Sequence, residues 1–251
     1  MTTGFERSGD TEATWERVRW KLRRPLLRRT VAHARWRAWN VRRKLRLRFV
    51  KSKFGLETVR NYREDRRWGG WCGGEFGSSF TGGIYGTSSA NYSMLEELFD
   101  EENGVTITPS DVLVDVGCGR GRVINHWLGL GLDNKIVGIE LEERWATEAA
   151  RRLASFPNVT IVHGDALEAL PPDGTIFYLF NPFGAGVLRR FKDRLIEVVD
   201  GRTDITIVYH FAMHARVFEE DPNWTVEPVR RKTFHPSMIV RKAAVSPAVG
   251  T

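Results

Sequence analysis

Gly117, Gly119 and Gly121 stand at alternate positions directly after Val112–Val116, an apolar run whose single acid is Asp115. Glycine permits positive φ, and its missing Cβ lets a ligand lie against the backbone, so a strand that ends in this turn marks a close approach. In a doubly wound sheet such approaches occur beyond the carboxyl ends of the strands, where the strand order changes direction. The spacing here is G-x-G-x-G rather than the G-x-G-x-x-G that aims a helix at a pyrophosphate. Asp115, two residues before the first glycine, suits a positively charged group such as an amino-acid ammonium. Glu140, 23 residues after Gly117, sits where a carboxylate can accept both hydroxyls of a ribose. Asp165, in the segment HGDAL, sits where a carboxylate can accept a hydrogen bond from an adenine amino group. The alternative is that the acids cap helices and the glycines only make turns; capping accounts for one acid of the three.

The elements that must position these residues follow from periodicity. Strands are expected over 112–117, 135–141, 159–164, 175–180 and 205–211, with helices over 92–102, 120–130, 142–156 and 186–200. Segments 225–231 and 238–243 read as a closing antiparallel pair. Strands that alternate with helices imply an α/β fold with a mostly parallel sheet covered on both faces.

The segments DVGCGRG, VGIELEE, HGDAL and YLFNPFG, in this order between about Asn91 and Lys242, resemble the four motifs of the class I S-adenosylmethionine-dependent methyltransferases. The resemblance implies a Rossmann-like, doubly wound, seven-stranded sheet with an antiparallel last strand, and S-adenosylmethionine as cofactor. It further implies that Gly117, Cys118, Gly119 and Gly121 wrap the methionine moiety and that Asp115 meets its ammonium directly or through water. Glu140 with Leu141 would hold the ribose side, and Asp165 with Ala166 the adenine N6. A nicotinamide-dependent dehydrogenase is the competing enzyme; the early third glycine and Asp115 argue against it.

Methyl transfer from a sulfonium is an in-line displacement in which positioning and electrostatics carry much of the rate. Asn181-Pro182-Phe183-Gly184 follows the fourth strand, where Asn181 and adjacent carbonyls could orient an amino group and Phe183 could stack on the acceptor. It resembles the Asn/Asp-Pro-Pro-aromatic motif of amino-group methyltransferases without the second proline, and the Asn-x-Phe pattern of histone lysine methyltransferases that lack a SET domain. The plain reading of Asn181-Pro182 is a strand-ending turn. His210, ending the fifth strand, is the candidate general base for a hydroxyl acceptor, against a structural role; His163 reads as a packing residue. Tyr85, Ser88, Ser89 and Tyr92 lie in the segment that in such enzymes closes over the cofactor.

Charge divides the chain unevenly. Residues 15–53 hold 16 of the 38 Lys and Arg and one of the 31 Asp and Glu, so this arm carries +15 and the remainder −8. After Pro25, Leu27, Val31, Ala34, Ala38, Val41, Leu45 and Phe49 recur at helical spacing, which predicts an amphipathic helix. The arm suits a nucleic acid or an anionic membrane surface, with Trp15, Trp20, Trp36 and Trp39 for stacking or anchoring; a lid on the acidic core, or a solvated docking helix, is the alternative. Residues 55–90 contain nine glycines among aromatics and read as a loop or lid. The expected organisation is therefore a helical arm over 1–54, a glycine-aromatic lid over 55–90 and a cofactor-binding domain over 91–251. Two widely separated cysteines, Cys72 and Cys118, give neither a disulfide framework nor a metal site, and no apolar run is long enough to span a bilayer. These features suit the cytoplasm. The leading function is methyl transfer to an amino or hydroxyl group; the alternative from another class is a non-catalytic nucleic-acid- or membrane-binding protein with a Rossmann-like core.

Overall fold

The computed structural model describes residues 53–73, 82–86, 89–230 and 236–243. The amphipathic helix expected over the basic arm falls almost wholly in residues 1–52, outside the described residues, as does Ser88. Its elements are α1 (Lys53–Arg67), α2 (Tyr92–Leu98), β1 (Leu113–Val116), α3 (Arg122–Gly129), β2 (Ile136–Glu140), α4 (Glu143–Leu153) and β3 (Val159–His163). They continue with α5 (Ala166–Ala169), β4 (Ile176–Phe180), α6 (Ala185–Val198), β5 (Thr206–His210), α7 (Arg216–Glu219), β6 (Trp224–Pro228) and β7 (Met238–Lys242).

The strands form one seven-stranded sheet in the order β3-β2-β1-β4-β5-β7-β6. Strands β1 to β5 pair in parallel, and β7 is antiparallel to both β5 and β6. This is the expected doubly wound architecture. The chain moves outward from β1 to β3, then returns to start again at β4 on the other side of β1, so the direction of winding switches between β1 and β4. The carboxyl ends of those two strands, at Val116 and Phe180, open the crevice where such folds bind ligands.

Alternation along the strands divides the core in two. Val114, Val116, Phe177, Leu179, Ile207 and Tyr209 join Leu188, Phe191 and Leu195 of α6 in one layer. Leu113, Tyr178 and Val208 join Leu95 of α2 and Ile124 and Trp127 of α3 in the other. Helix α3 sits close to the sheet because Gly138 of β2 has no side chain. A Cβ there would lie 2.8 Å from both Ile124 Cδ1 and Ile161 Cδ1 and 2.9 Å from Cys118 Sγ. Gly138→Ala is therefore expected to lower stability by about 1–3 kcal/mol through overpacking, as a drop in the urea midpoint.

Two expectations need correction. Residues 53–67, placed mostly in a glycine-rich lid, form the 15-residue helix α1. Eight of the nine glycines of 55–90 lie at position 69 or beyond, so the composition of the whole window hid a glycine-free run from Leu56 to Trp68. The helix expected over 92–102 stops at Leu98 and is followed by a separate 3-10 turn, Glu101–Asn103.

Candidate functional site

The glycine turn is built on the end of β2 as much as on β1. The N–H groups of Gly117 and Cys118 both donate to the Ile139 carbonyl, at 2.8 and 3.0 Å, and the Gly119 N–H donates to Glu140 Oε2 at 2.6 Å. Gly117, Gly119 and Gly121 adopt φ of 76°, 52° and 78°, in the left-handed region that glycine enters without strain. Gly121 then opens α3 as its N-cap.

Asp115 lies beneath this turn, 1% exposed, and its Oδ2 is buried without a hydrogen-bond partner. Burial pushes the carboxyl well above the usual carboxylate range, and the nearby Glu140 adds to the rise. A buried carboxylate oxygen without a donor is costly unless something supplies one. The cationic ammonium of an amino acid supplies both donor and charge, so the residues present fit the methionine end of S-adenosylmethionine.

Glu140 is also buried, and the same effect raises its carboxyl, against the pull of main-chain N–H donors from Glu142 and Gly119. Its Oε1 accepts from Glu142 N at 2.9 Å. An ionised carboxylate has about four acceptor positions, so Glu140 can tie the turn to β2 and still accept ribose hydroxyls. Leu141 follows it as a 46% exposed apolar side chain beside the crevice. Asp165 caps α5, its Oδ1 accepting from Leu167 N at 2.9 Å, and Ala166 is buried behind it. Of the three acids, this is the one that capping accounts for.

The turn after β4 completes the floor. Asn181 is buried and adopts φ of 42°, a strained value for a residue other than glycine. Its Oδ1 accepts from the Tyr209 hydroxyl at 3.0 Å. Residues 83–85 run alongside this turn: Gly184 N donates to Gly83 O at 2.7 Å, Tyr85 N donates to Pro182 O at 2.9 Å, and Ile84 bridges Phe183. Tyr85 is thereby brought to the end of β4.

Phe183 and His210 are both buried. Phe183 is 5% exposed and packs on Phe191 of α6 with ring centroids 5.5 Å apart, so it belongs to the core rather than to an acceptor surface. Phe183→Leu should lower stability by about 1 kcal/mol and leave S-adenosylmethionine affinity unchanged by calorimetry. His210 is 3% exposed, stacks on Phe180 at 4.2 Å and shares a 2.7 Å hydrogen bond from Nδ1 to the Tyr178 hydroxyl. Position at the strand end drew attention to it, but alternation turns His210 to the α3 side of the sheet, whereas Tyr209 meets Asn181. Ser89 and Tyr92 are likewise committed elsewhere: Ser89 donates to Cys72 O at 2.6 Å and Tyr92 to Asp65 Oδ1 at 3.0 Å. His163 is exposed at the end of β3.

Sequence reasoning missed the group that braces the turn from outside. Asp65 of α1, fully buried, accepts from Arg122 Nε at 3.0 Å and Arg122 Nη2 at 2.6 Å, and from Cys72 N at 2.9 Å. Arg122 is the first residue of α3, immediately after Gly121. Arg152 of α4 donates to the Arg120 carbonyl at 2.5 Å, the Trp68 carbonyl at 2.6 Å and Asn125 Oδ1 at 2.8 Å. No spacing rule links Asp65 to Arg122 across 57 positions; the one signal was an acid inside a run of arginines. The two cysteines are free and buried, and burial pushes the Cys72 thiol up to about 11, which makes it a poor nucleophile. Among the described residues no group of three or more His, Cys, Asp or Glu could hold a metal ion, and no helix is long and apolar enough to cross a membrane.

Residues 113–193 match the family described as "Methyltransferase domain". Ribosomal RNA small subunit methyltransferase A of Thermotoga petrophila is 29% identical over 94 residues, 37% of this chain and 35% of that protein. Demethylmenaquinone methyltransferase of Staphylococcus aureus is 33% identical over 86 residues, 34% of each chain. The chain thus spans about a third of the length of these curated relatives. An RNA methyltransferase from Salinibacter ruber, solved in complex with S-adenosyl-L-homocysteine, superposes with a TM-score of 0.42 at 19% identity, over 61% of this chain and 90% of that one.

Proposed function

We propose, from the match of residues 113–193 to a methyltransferase domain, that the whole protein moves a methyl group from S-adenosylmethionine to an amino or hydroxyl group of an acceptor. The observation that carries this reading is the unpartnered Oδ2 of Asp115, buried beneath a three-glycine turn at the switch point of the sheet. When bound, S-adenosylmethionine supplies a methyl group on a positively charged sulfur, which departs as a neutral thioether.

The chain's own residues bind and orient. Asp115 holds the ammonium, and Gly117, Cys118, Gly119 and Gly121 let the methionine backbone lie against the turn. Glu140 accepts the ribose hydroxyls with Leu141 beside it, and Asp165 with Ala166 meets the amino edge of the adenine. Asn181 and Tyr85, brought together by the Pro182 carbonyl, stand at the methyl end, where an acceptor held in line gains most of its rate from orientation. A nicotinamide cofactor fits poorly, because its pyrophosphate would be brought towards Asp115. The sixteen cations of residues 15–53 suit an acceptor or surface that carries phosphate, and the free thiols of Cys72 and Cys118 suit the cytoplasm.

The test is a transfer assay with methyl-labelled S-adenosylmethionine against cell extract fractionated into protein, RNA, lipid and small molecules. Label is expected in one fraction, and Asp115→Ala should abolish its appearance. Cofactor binding without transfer to any fraction would favour the non-catalytic reading.

A further inference from the structure

A second cluster of polar side chains lies beyond the cofactor cradle, at the carboxyl ends of β4 and β5. The Tyr85 hydroxyl and His214 Nε2 are 3.2 Å apart, and the two rings stack with centroids 6.2 Å apart and planes 15° from parallel. Tyr85 is held there by its main-chain bond to Pro182, one residue from Asn181. His214 follows Phe211, which has φ of 56°; its loop is tied down by Ala212 N donating to Pro236 O at 2.7 Å and Met213 N donating to Phe211 O at 2.7 Å. The Tyr209 hydroxyl joins the two sides of the cluster. It donates to Asn181 Oδ1, and the His214 main-chain amide and the Tyr85 phenol act on it in opposite directions. Of the three residues other than glycine with positive φ among the described residues, Asn181 and Phe211 flank this cluster. Strain concentrated around an exposed pair of proton-handling groups is typical of a functional site.

We propose that Tyr85 and His214 form a proton relay for the acceptor, and that the acceptor is therefore a hydroxyl; this rests on the methyl-transfer reading above. A neutral amine attacks through a lone pair it already has and needs no base at that step, and one acceptor position of Asn181 Oδ1, the group that would orient it, is taken by Tyr209. A hydroxyl needs its proton removed as it attacks. The acceptor oxygen forms a bond to the methyl carbon as the carbon–sulfur bond breaks, its electron pair staying on sulfur. The acceptor proton passes to the Tyr85 oxygen as the Tyr85 proton passes to His214 Nε2. The imidazolium, partly exposed, returns that proton to water. The relay requires the His214 tautomer with hydrogen on Nδ1 and Nε2 accepting from Tyr85.

Four readouts on the full-length protein test it. Nitrogen NMR of the histidines should show His214 with the proton on Nδ1, and the signature of the bonded Nε2 should vanish in Tyr85→Phe; a proton on Nε2 overturns the relay whether or not an acceptor has been found. With S-adenosylmethionine and the extract fraction that takes up label, His214→Ala should lower the transfer rate by roughly 10²-fold or more, with calorimetric affinity for the cofactor unchanged. Added imidazole should restore part of that rate, which it would not do for a structural defect. The labelled product should be a methyl ether or ester; a labelled methylamine, or full activity in His214→Ala, overturns the proposal. Wild-type protein that binds the cofactor and labels no fraction would instead overturn the methyl-transfer reading, and the relay with it.

Discussion

Asp115→Asn is expected to weaken S-adenosylmethionine binding by about 2–5 kcal/mol, roughly 30- to 5,000-fold, while raising the melting temperature of the ligand-free protein at neutral pH. The two effects have one cause. Asp115 is buried with an unpartnered oxygen, and its carboxyl sits well above the usual carboxylate range because burial disfavours the charge and Glu140 repels it. A carboxyl raised in the fold binds its proton more tightly there than in the unfolded chain. Its contribution is then fully present at pH values below the unfolded value near 3.8 and is lost as pH rises through the folded value. Asparagine keeps the shape and removes that penalty, so its advantage over the wild type should grow with rising pH and level off above the folded value. Saturating S-adenosylmethionine should reverse the ranking, because the wild type alone recovers the ion pair. Melting curves across pH, with and without the cofactor, check each part.

Asp65→Ala should cost about 3–5 kcal/mol of stability, read by urea denaturation, because it leaves the Arg122 guanidinium buried without its counter-charge. Asp65 takes both hydrogen bonds of the Arg122 fork as well as those of Tyr92 and the Cys72 main chain, so no oxygen of this carboxylate is idle. The loss reaches the cofactor cradle through one peptide bond, since Arg122 follows Gly121. Replacing both partners together, as Asp65→Leu with Arg122→Met, should cost much less than either alanine alone, because no uncompensated charge stays behind. A double variant as unstable as Asp65→Ala would show that the pair is not what α1 contributes.

These two residues also show what the sequence could and could not convey. Asp115 was legible because the strand, the acid and the glycines are contiguous, and local spacing is what periodicity and turn chemistry report. The same holds for Glu140 and Asp165, each one strand further on. Asp65 was not legible, because its partner is 57 positions away and only the folded chain brings them together. The fold itself was read nearly strand for strand, since β1, β2 and β4 are continuous apolar runs fully or almost fully buried. Helix α1 was lost to averaging over a glycine-rich window. At the acceptor end, strand phase separates neighbours that residue type alone does not: His210 stood out as a base by type, yet Tyr209 is the one that meets Asn181, and the partly exposed His214 lies four residues on.

The most direct measurement is calorimetric titration of the full-length chain with S-adenosylmethionine, with NAD titrated in parallel. One-to-one binding of S-adenosylmethionine is predicted, with no heat from NAD. Because burial pushes the Asp115 carboxyl upward and the ammonium favours its ionised form, binding should draw it towards ionisation and release protons. The observed heat should then vary with the ionisation enthalpy of the buffer, and the release should fall away in Asp115→Asn. No heat from S-adenosylmethionine, or saturable binding of NAD in its place, would contradict the reading of the Gly117–Gly121 turn as a cradle for a methyl donor.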